Sequence, residues 1–165
     1  MSNEAPGYKY IYSNGEANFG PPIQSEVAGG AHLTFDVMTH VGDTLYALRR
    51  PDGLHDGPKN ALYFPHGLIR FGETPEDCVI RLLAEQAPSE LVKLRTHSLV
   101  SWVEDDHWHM CLNVLAELAE PPIAMADVSE VVPIRLGAIP DDFAWWSAAK
   151  AEKLLRELPQ WRALN

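Results

Sequence analysis

The stretch Gly67 to Gln86, GLIRFGETPEDCVIRLLAEQ, sets a glycine-punctuated loop against the start of a helix. Gly67 and Gly72 free the backbone to turn. Thr74-Pro75-Glu76-Asp77 is a strong helix start: threonine caps, proline suits the first helical position, and early acids favour the positive end of the helix dipole. The helix is expected over about Pro75–Ala87, stopped before Pro88. Asp77, Arg81 and Glu85 recur every four residues and so share one face, with Glu73 just ahead of the first turn. Val79 and Leu83 mark the apolar side that packs on a sheet. An amphipathic helix with a solvated charge stripe gives this pattern too, so the loop spacing ahead of it narrows the reading.

That spacing resembles the Nudix box, the signature of the Nudix hydrolase superfamily. The box runs glycine, five residues, glutamate, seven residues, then arginine-glutamate-apolar-any-glutamate-glutamate-any-glycine. Gly67, Glu73, Arg81, Leu83 and Glu85 stand in register with it. Leu62-Tyr63-Phe64-Pro65-His66-Gly67 is similar to the strand and Pro-Gly-Gly turn that lead into the box, with His66 in place of one glycine. The order of flanking elements agrees over roughly residues 31–158. Three positions depart: Leu82 and Gln86 replace glutamates, and Pro88 replaces the closing glycine.

The resemblance implies the Nudix fold, a mixed β-sheet sandwiched between helices (α/β/α). It further implies a metal-dependent hydrolase of a nucleoside diphosphate linked to another moiety. Arg81 and Glu73 would clamp the loop to the helix, a role beyond that of a surface ion pair, which contributes only ~0–1 kcal/mol. The box glutamates face the metal in the family, and here Glu85 alone keeps its carboxylate. Magnesium takes about six oxygens, usually one or two carboxylates plus water and phosphates. Glu85, the Gly67 carbonyl and the Gln86 amide, completed by substrate, would hold Mg2+ (or Mn2+) weakly when substrate is absent.

Outside the box, residues 1–30 read as an N-terminal extension and 31–165 as the Nudix domain. Tyr8-Lys9-Tyr10-Ile11-Tyr12 alternates tyrosines at period two, as an edge strand does, and offers a contact for a homodimer. Strands are expected over 32–39 and 44–49 around the turn Val41-Gly42-Asp43. Another pair, 99–103 and 108–118, flanks Glu104-Asp105-Asp106, and 128–134 is a further strand. Residues 143–158 carry the period of an amphipathic helix opened by Trp145-Trp146, with Trp146, Ala149, Leu154 and Leu155 as its packing residues. Trp102 is expected in the core. Mixed strands with helices on both faces give the layered architecture.

Leu82 cannot serve as a base, which leaves His109, His107, Glu117 or Glu130 for that role. The GDP-mannose mannosyl hydrolase branch also carries leucine after the box arginine and uses a histidine to attack sugar carbon. His109 is the candidate equivalent by coarse position, and a histidine suits base chemistry near neutral pH. Arg49 and Arg50, with planar guanidinium groups, are candidates for phosphate contact. Trp145 is the candidate to cover substrate.

The 165 residues suffice for one domain with a real core. The net charge of −10 argues against an extended nucleic-acid surface. No apolar run approaches a membrane span and no signal-peptide pattern opens the chain, so the cytosol is the expected compartment. Cys78 and Cys111 are too few and too isolated to read as a disulfide framework or a zinc site. Two readings stay open: a metal-assisted hydrolase, with Glu85 and His109 as catalytic candidates, and a non-catalytic module that binds or senses a nucleotide-sugar.

Overall fold

Residues 34–40 are buried on both faces and, with 44–50, form the hairpin at the centre of the molecule, in a computed structural model that describes residues 31–55, 57–70, 72–104 and 107–163. Strand β1 (Ala31–Val41) turns at Gly42, whose φ of 55° favours glycine, into β2 (Thr44–Arg50). Two short strands follow, β3 (Ala61–Tyr63) and β4 (His66–Leu68), and then helix α1 (Pro75–Gln86). The long pair β5 (Leu91–Glu104) and β6 (His107–Leu118) precedes β7 (Glu130–Ile134) and helix α2 (Ala148–Ala163). The segment Tyr8–Tyr12 lies outside the described residues.

The sheet runs β3-β2-β1-β6-β5, with β4 paired to β1 and β7 to β2. β1 and β6 are parallel from Ala31↔Trp108 to His40↔Glu117, and the other pairings are antiparallel. Because alternate strand residues face opposite ways, the sheet builds two cores. Phe35, Val37, Val114 and Ala116 meet Cys78, Val79, Leu82 and Leu83 of α1 on one side. Met38, Leu45, Leu62, Leu115 and Ile134 meet Leu154, Leu155 and Leu158 of α2 on the other. This is the α/β/α sandwich that the sequence pattern leads one to expect.

Helix α1 begins where its residues dictate. The Asp77 N–H donates to Thr74 Oγ1 and the Thr74 N–H donates to Asp77 Oδ2, both at 3.2 Å, with Pro75 at the first position. This reciprocal cap satisfies two donors that a helix start otherwise leaves open.

Two expectations need correction. The final helix spans 148–163 rather than 143–158, so Trp145 and Trp146 precede it instead of opening it. Tertiary pairing decides this: the Leu62 N–H donates to the Asp142 carbonyl at 2.9 Å, and the Ala144 N–H to the Leu62 carbonyl at 3.0 Å. Residues 142–144 are therefore held along β3, and the helix waits for Ser147, whose hydroxyl accepts from the Lys150 N–H. The later start also changes the helical phase, so Ala149 is exposed and Ala151 and Leu158 pack inward. Trp102 is not in the core but 41% exposed. It stands toward the far end of β5, an outer strand whose core contacts, Leu91 and Leu94, lie at the other end.

Leu82 is 1% exposed, which makes its packing testable. Leu82→Ala is expected to lower unfolding free energy by ~2–5 kcal/mol, the range for a buried leucine. Ile80→Ala on the exposed side of the same helix should change it far less. Urea denaturation of both variants measures the contrast.

Candidate functional site

The loop between β4 and α1 is held by an ion pair and by close approach. Arg81 Nε donates to Glu73 Oε1 at 2.5 Å, and Arg81 Nη2 donates to Glu73 Oε2 at 2.9 Å. Nη2 also reaches the Leu68 carbonyl at 2.9 Å, and the Arg70 N–H donates to Glu73 Oε2 at 2.7 Å. These charge-assisted bonds, those from Arg81 foremost, hold the Glu73 carboxyl down to about 2 and raise Arg81 above the usual guanidinium range. Gly67 faces α1 so closely that a Cβ there would lie 2.7 Å from Leu82 Cδ2. A side chain at this position would require the Leu82 methyl to shift.

The three positions at which the sequence departs from the Nudix box pattern have structural occupations. Leu82 fills the core beneath Gly67. The Gln86 amide spans the His66 peptide groups: its Oε1 accepts from the His66 N–H at 3.1 Å and its Nε2 donates to the His66 carbonyl at 2.7 Å. The same Oε1 accepts from Arg50 Nη2 at 3.2 Å. Pro88 follows Ala87, whose N–H closes the helix on the Leu83 carbonyl. Glu85 remains at the surface, 45% exposed by side chain, between Arg70 at 3.2 Å and Arg81 at 3.3 Å.

The other sequence candidates are dispersed. Arg50 is buried, paired with Asp127 and Gln86, while its Nε has no hydrogen-bond partner among the described residues. Arg49 carries Glu130 at 3.3 Å and Asp142 at 2.5 Å. Glu117 lies 3.9 Å from Arg162 near the other end of the sheet. Trp145 is a half-exposed ring packed edge-on to Tyr63 and tilted against His66, at centroid distances of 5.0 and 4.6 Å. His109 pairs in register with His32, stacks on Trp102 at 5.0 Å, and shares the α2-facing side of β6 with Leu115. Glu85 belongs to the helix on the other face, so the sheet stands between it and His109. The His107 side chain lies outside the described residues.

The residues fit a box-bound magnesium ion poorly. One carboxylate is present, and it already faces two guanidinium groups. Leu82 offers no donor, and the Gln86 oxygen already accepts two hydrogen bonds. A hard cation that needs about six oxygens finds too few here.

A second cluster, which sequence reading missed, lies across the sheet. His66 Nδ1 is 2.7 Å from Asp36 Oδ1, and the Trp146 indole donates to Asp36 Oδ2 at 3.1 Å. With Cys111 they form a group able to hold a metal ion, one ligand atom from each lying within 4.8 Å of the others. Burial, and then the nearby Asp36 carboxylate, push the Cys111 thiol up to about 12. The available signals were an acid within the apolar run Phe35-Asp36-Val37 and a histidine at a turn position where the box usually has glycine.

No family model and no curated protein matches the chain. Solved structures do. The Nudix domain of Shewanella oneidensis NrtR, complexed with ADP ribose, superposes with a TM-score of 0.62 at 19% identity, over 87% of this chain and 95% of that one. A Nudix-family hydrolase from Clostridium perfringens gives 0.60 at 14% identity, over 77% and 97%. A bifunctional NMN adenylyltransferase/ADP ribose pyrophosphatase from Francisella tularensis, complexed with AMP and a manganese ion, gives 0.57 at 19%, over 87% of this chain but 43% of its own. The chain has the Nudix fold.

The Glu73–Arg81 clamp predicts an acid limb in stability. Because the folded carboxyl sits near 2, below its unfolded value of about 4.3, the clamp is fully stabilising above about pH 4.5 and is lost as pH falls toward 2. Glu73→Gln should therefore be less stable than wild type at neutral pH, with the gap closing over that window. Thermal midpoints measured across the window check it.

Proposed function

We propose that this chain binds a nucleoside diphosphate linked to a second group, and that its box braces the fold instead of serving as a hydrolytic metal centre. The observation that carries this is the pairing of Leu82, sealed under Gly67, with Gln86, whose amide holds the His66 backbone. Two positions that would supply carboxylates are built into the packing. The ligand class is supported by the fold, which this chain shares with a domain solved with ADP ribose. Trp145 offers a half-exposed ring for a base or sugar face on the α2 side of the sheet, whereas Arg49 is already held by Glu130 and Asp142.

A hydrolytic reading has one observation in its favour: Glu85 remains solvent-exposed on the box helix. It calls for Mg2+ or Mn2+ recruited with the substrate, at Glu85 and the Gly67 carbonyl. Attack at sugar carbon by His109 is harder to support, because His109 and the box helix lie on opposite faces of the sheet. A homodimer and a cytosolic setting are compatible with both readings.

Calorimetry with a panel of nucleoside diphosphate sugars, with and without magnesium or manganese, distinguishes the readings when run beside product analysis. The expected result is saturable binding that needs no metal, survives Glu85→Gln, and is accompanied by no turnover. Metal-dependent release of phosphate or sugar that falls tenfold or more in Glu85→Gln would overturn the binding reading. The double change Leu82→Glu with Gln86→Glu should not create turnover. It should instead lower stability by several kcal/mol, since it buries a charge beneath Gly67.

A further inference from the structure

Asp36, His66 and Cys111 come from three neighbouring strands, and strand register brings them together. Asp36 pairs with His66 across β1 and β4, and Cys111 pairs with Thr34, two residues before Asp36 and on the same face. Among the described residues no other trio of histidine, cysteine and carboxylate side chains converges in this way. All three stand on the α2 side of the sheet, away from the box acids.

The chemistry of the donors selects the ion. Nitrogen, oxygen and sulfur together suit a borderline-soft cation, whereas magnesium takes oxygen ligands. Zinc binds such donors at ~2.0–2.3 Å. From atoms within 4.8 Å of one another, closure needs side-chain movement on the order of an ångström toward a common centre. The surroundings already orient two donors: the Trp146 indole fixes the second Asp36 oxygen at 3.1 Å, and Trp145 lies against the His66 ring at 4.6 Å. Groups of this kind set ligand orientation at metal sites. Three protein donors leave the fourth tetrahedral position to water.

We propose that Asp36, His66 and Cys111 bind a zinc ion, which ties the short strand β4 to β1 and β6. Binding forms one bond from zinc to each side chain and releases the Cys111 thiol proton to solvent. The site is separate from the nucleotide-binding reading and does not depend on it.

The test uses the full chain, freed of metal with a chelator and titrated with cobalt(II), then with zinc against a chromophoric chelator. One equivalent of cobalt should bind and give a sulfur-to-cobalt charge-transfer band that zinc abolishes. Cys78→Ala should keep the band and Cys111→Ser should lose it. His66→Ala should weaken zinc affinity at least about tenfold, in line with the usual effect of disturbing a metal site. Failure of the wild type to bind one equivalent, or a band that persists in Cys111→Ser, overturns the proposal. If Cys111→Ser does not fold, the wild type and Cys78→Ala decide: no charge-transfer band in either also overturns it.

Discussion

Helix α1 lies against β4 so closely that a Cβ at position 67 would come within 2.7 Å of Leu82 Cδ2, and this contact sits at the middle of the box. Gly67 admits the Leu82 methyl groups, and the helix settles onto the sheet with Cys78, Val79 and Leu83 buried beside it. Arg81, on the same helix, reaches both Glu73 and the Leu68 carbonyl. At the helix end the same closeness brings the Gln86 amide onto the His66 peptide groups. The loop is therefore fixed at both ends by side chains of one helix, and the apolar contact in between sets their reach.

This geometry changes what the helix needs electrostatically. Several carboxylates gathered at one helix end repel one another unless a cation lies between them. With leucine at 82 and an amide at 86, Glu85 is the remaining box acid at that end, and Arg70 and Arg81 already balance it. The folded box is thus electrostatically complete from its own residues.

Much of the fold was legible because its signals are local. Thr74, Pro75 and Asp77 set the start of α1 through contacts within one turn, and Gly42 marks the central hairpin by its backbone angle. The errors came where distant partners decide. Trp145 and Trp146 fit a helical pattern, but Leu62, eighty residues earlier in the chain, holds residues 142–144 to the sheet. Trp102 has a strand-core composition, yet its place on an outer strand leaves it exposed. Arg50 reads in the sequence as a phosphate contact, but it is buried against Asp127 and Gln86, which no spacing rule brings together. The candidate metal group was missed for the same reason, since register across three strands brings Asp36, His66 and Cys111 together.

The replacements at positions 66 and 86 are best understood together. A glycine in the turn presents only its backbone, whereas His66 also sends a ring to the α2 side of the sheet, where it meets Asp36 and Trp145. That ring needs a fixed backbone beneath it. Gln86 supplies this by pairing with the His66 N–H and carbonyl at once. A glutamate at position 86 could accept from the N–H, but its carboxylate would face the His66 carbonyl with no hydrogen to donate. The amide is therefore the group that satisfies both peptide atoms of a side-chain-bearing turn residue. Gln86 on one face and the histidine–aspartate pair on the other thus meet at a single peptide unit, which couples the two layers of the sandwich.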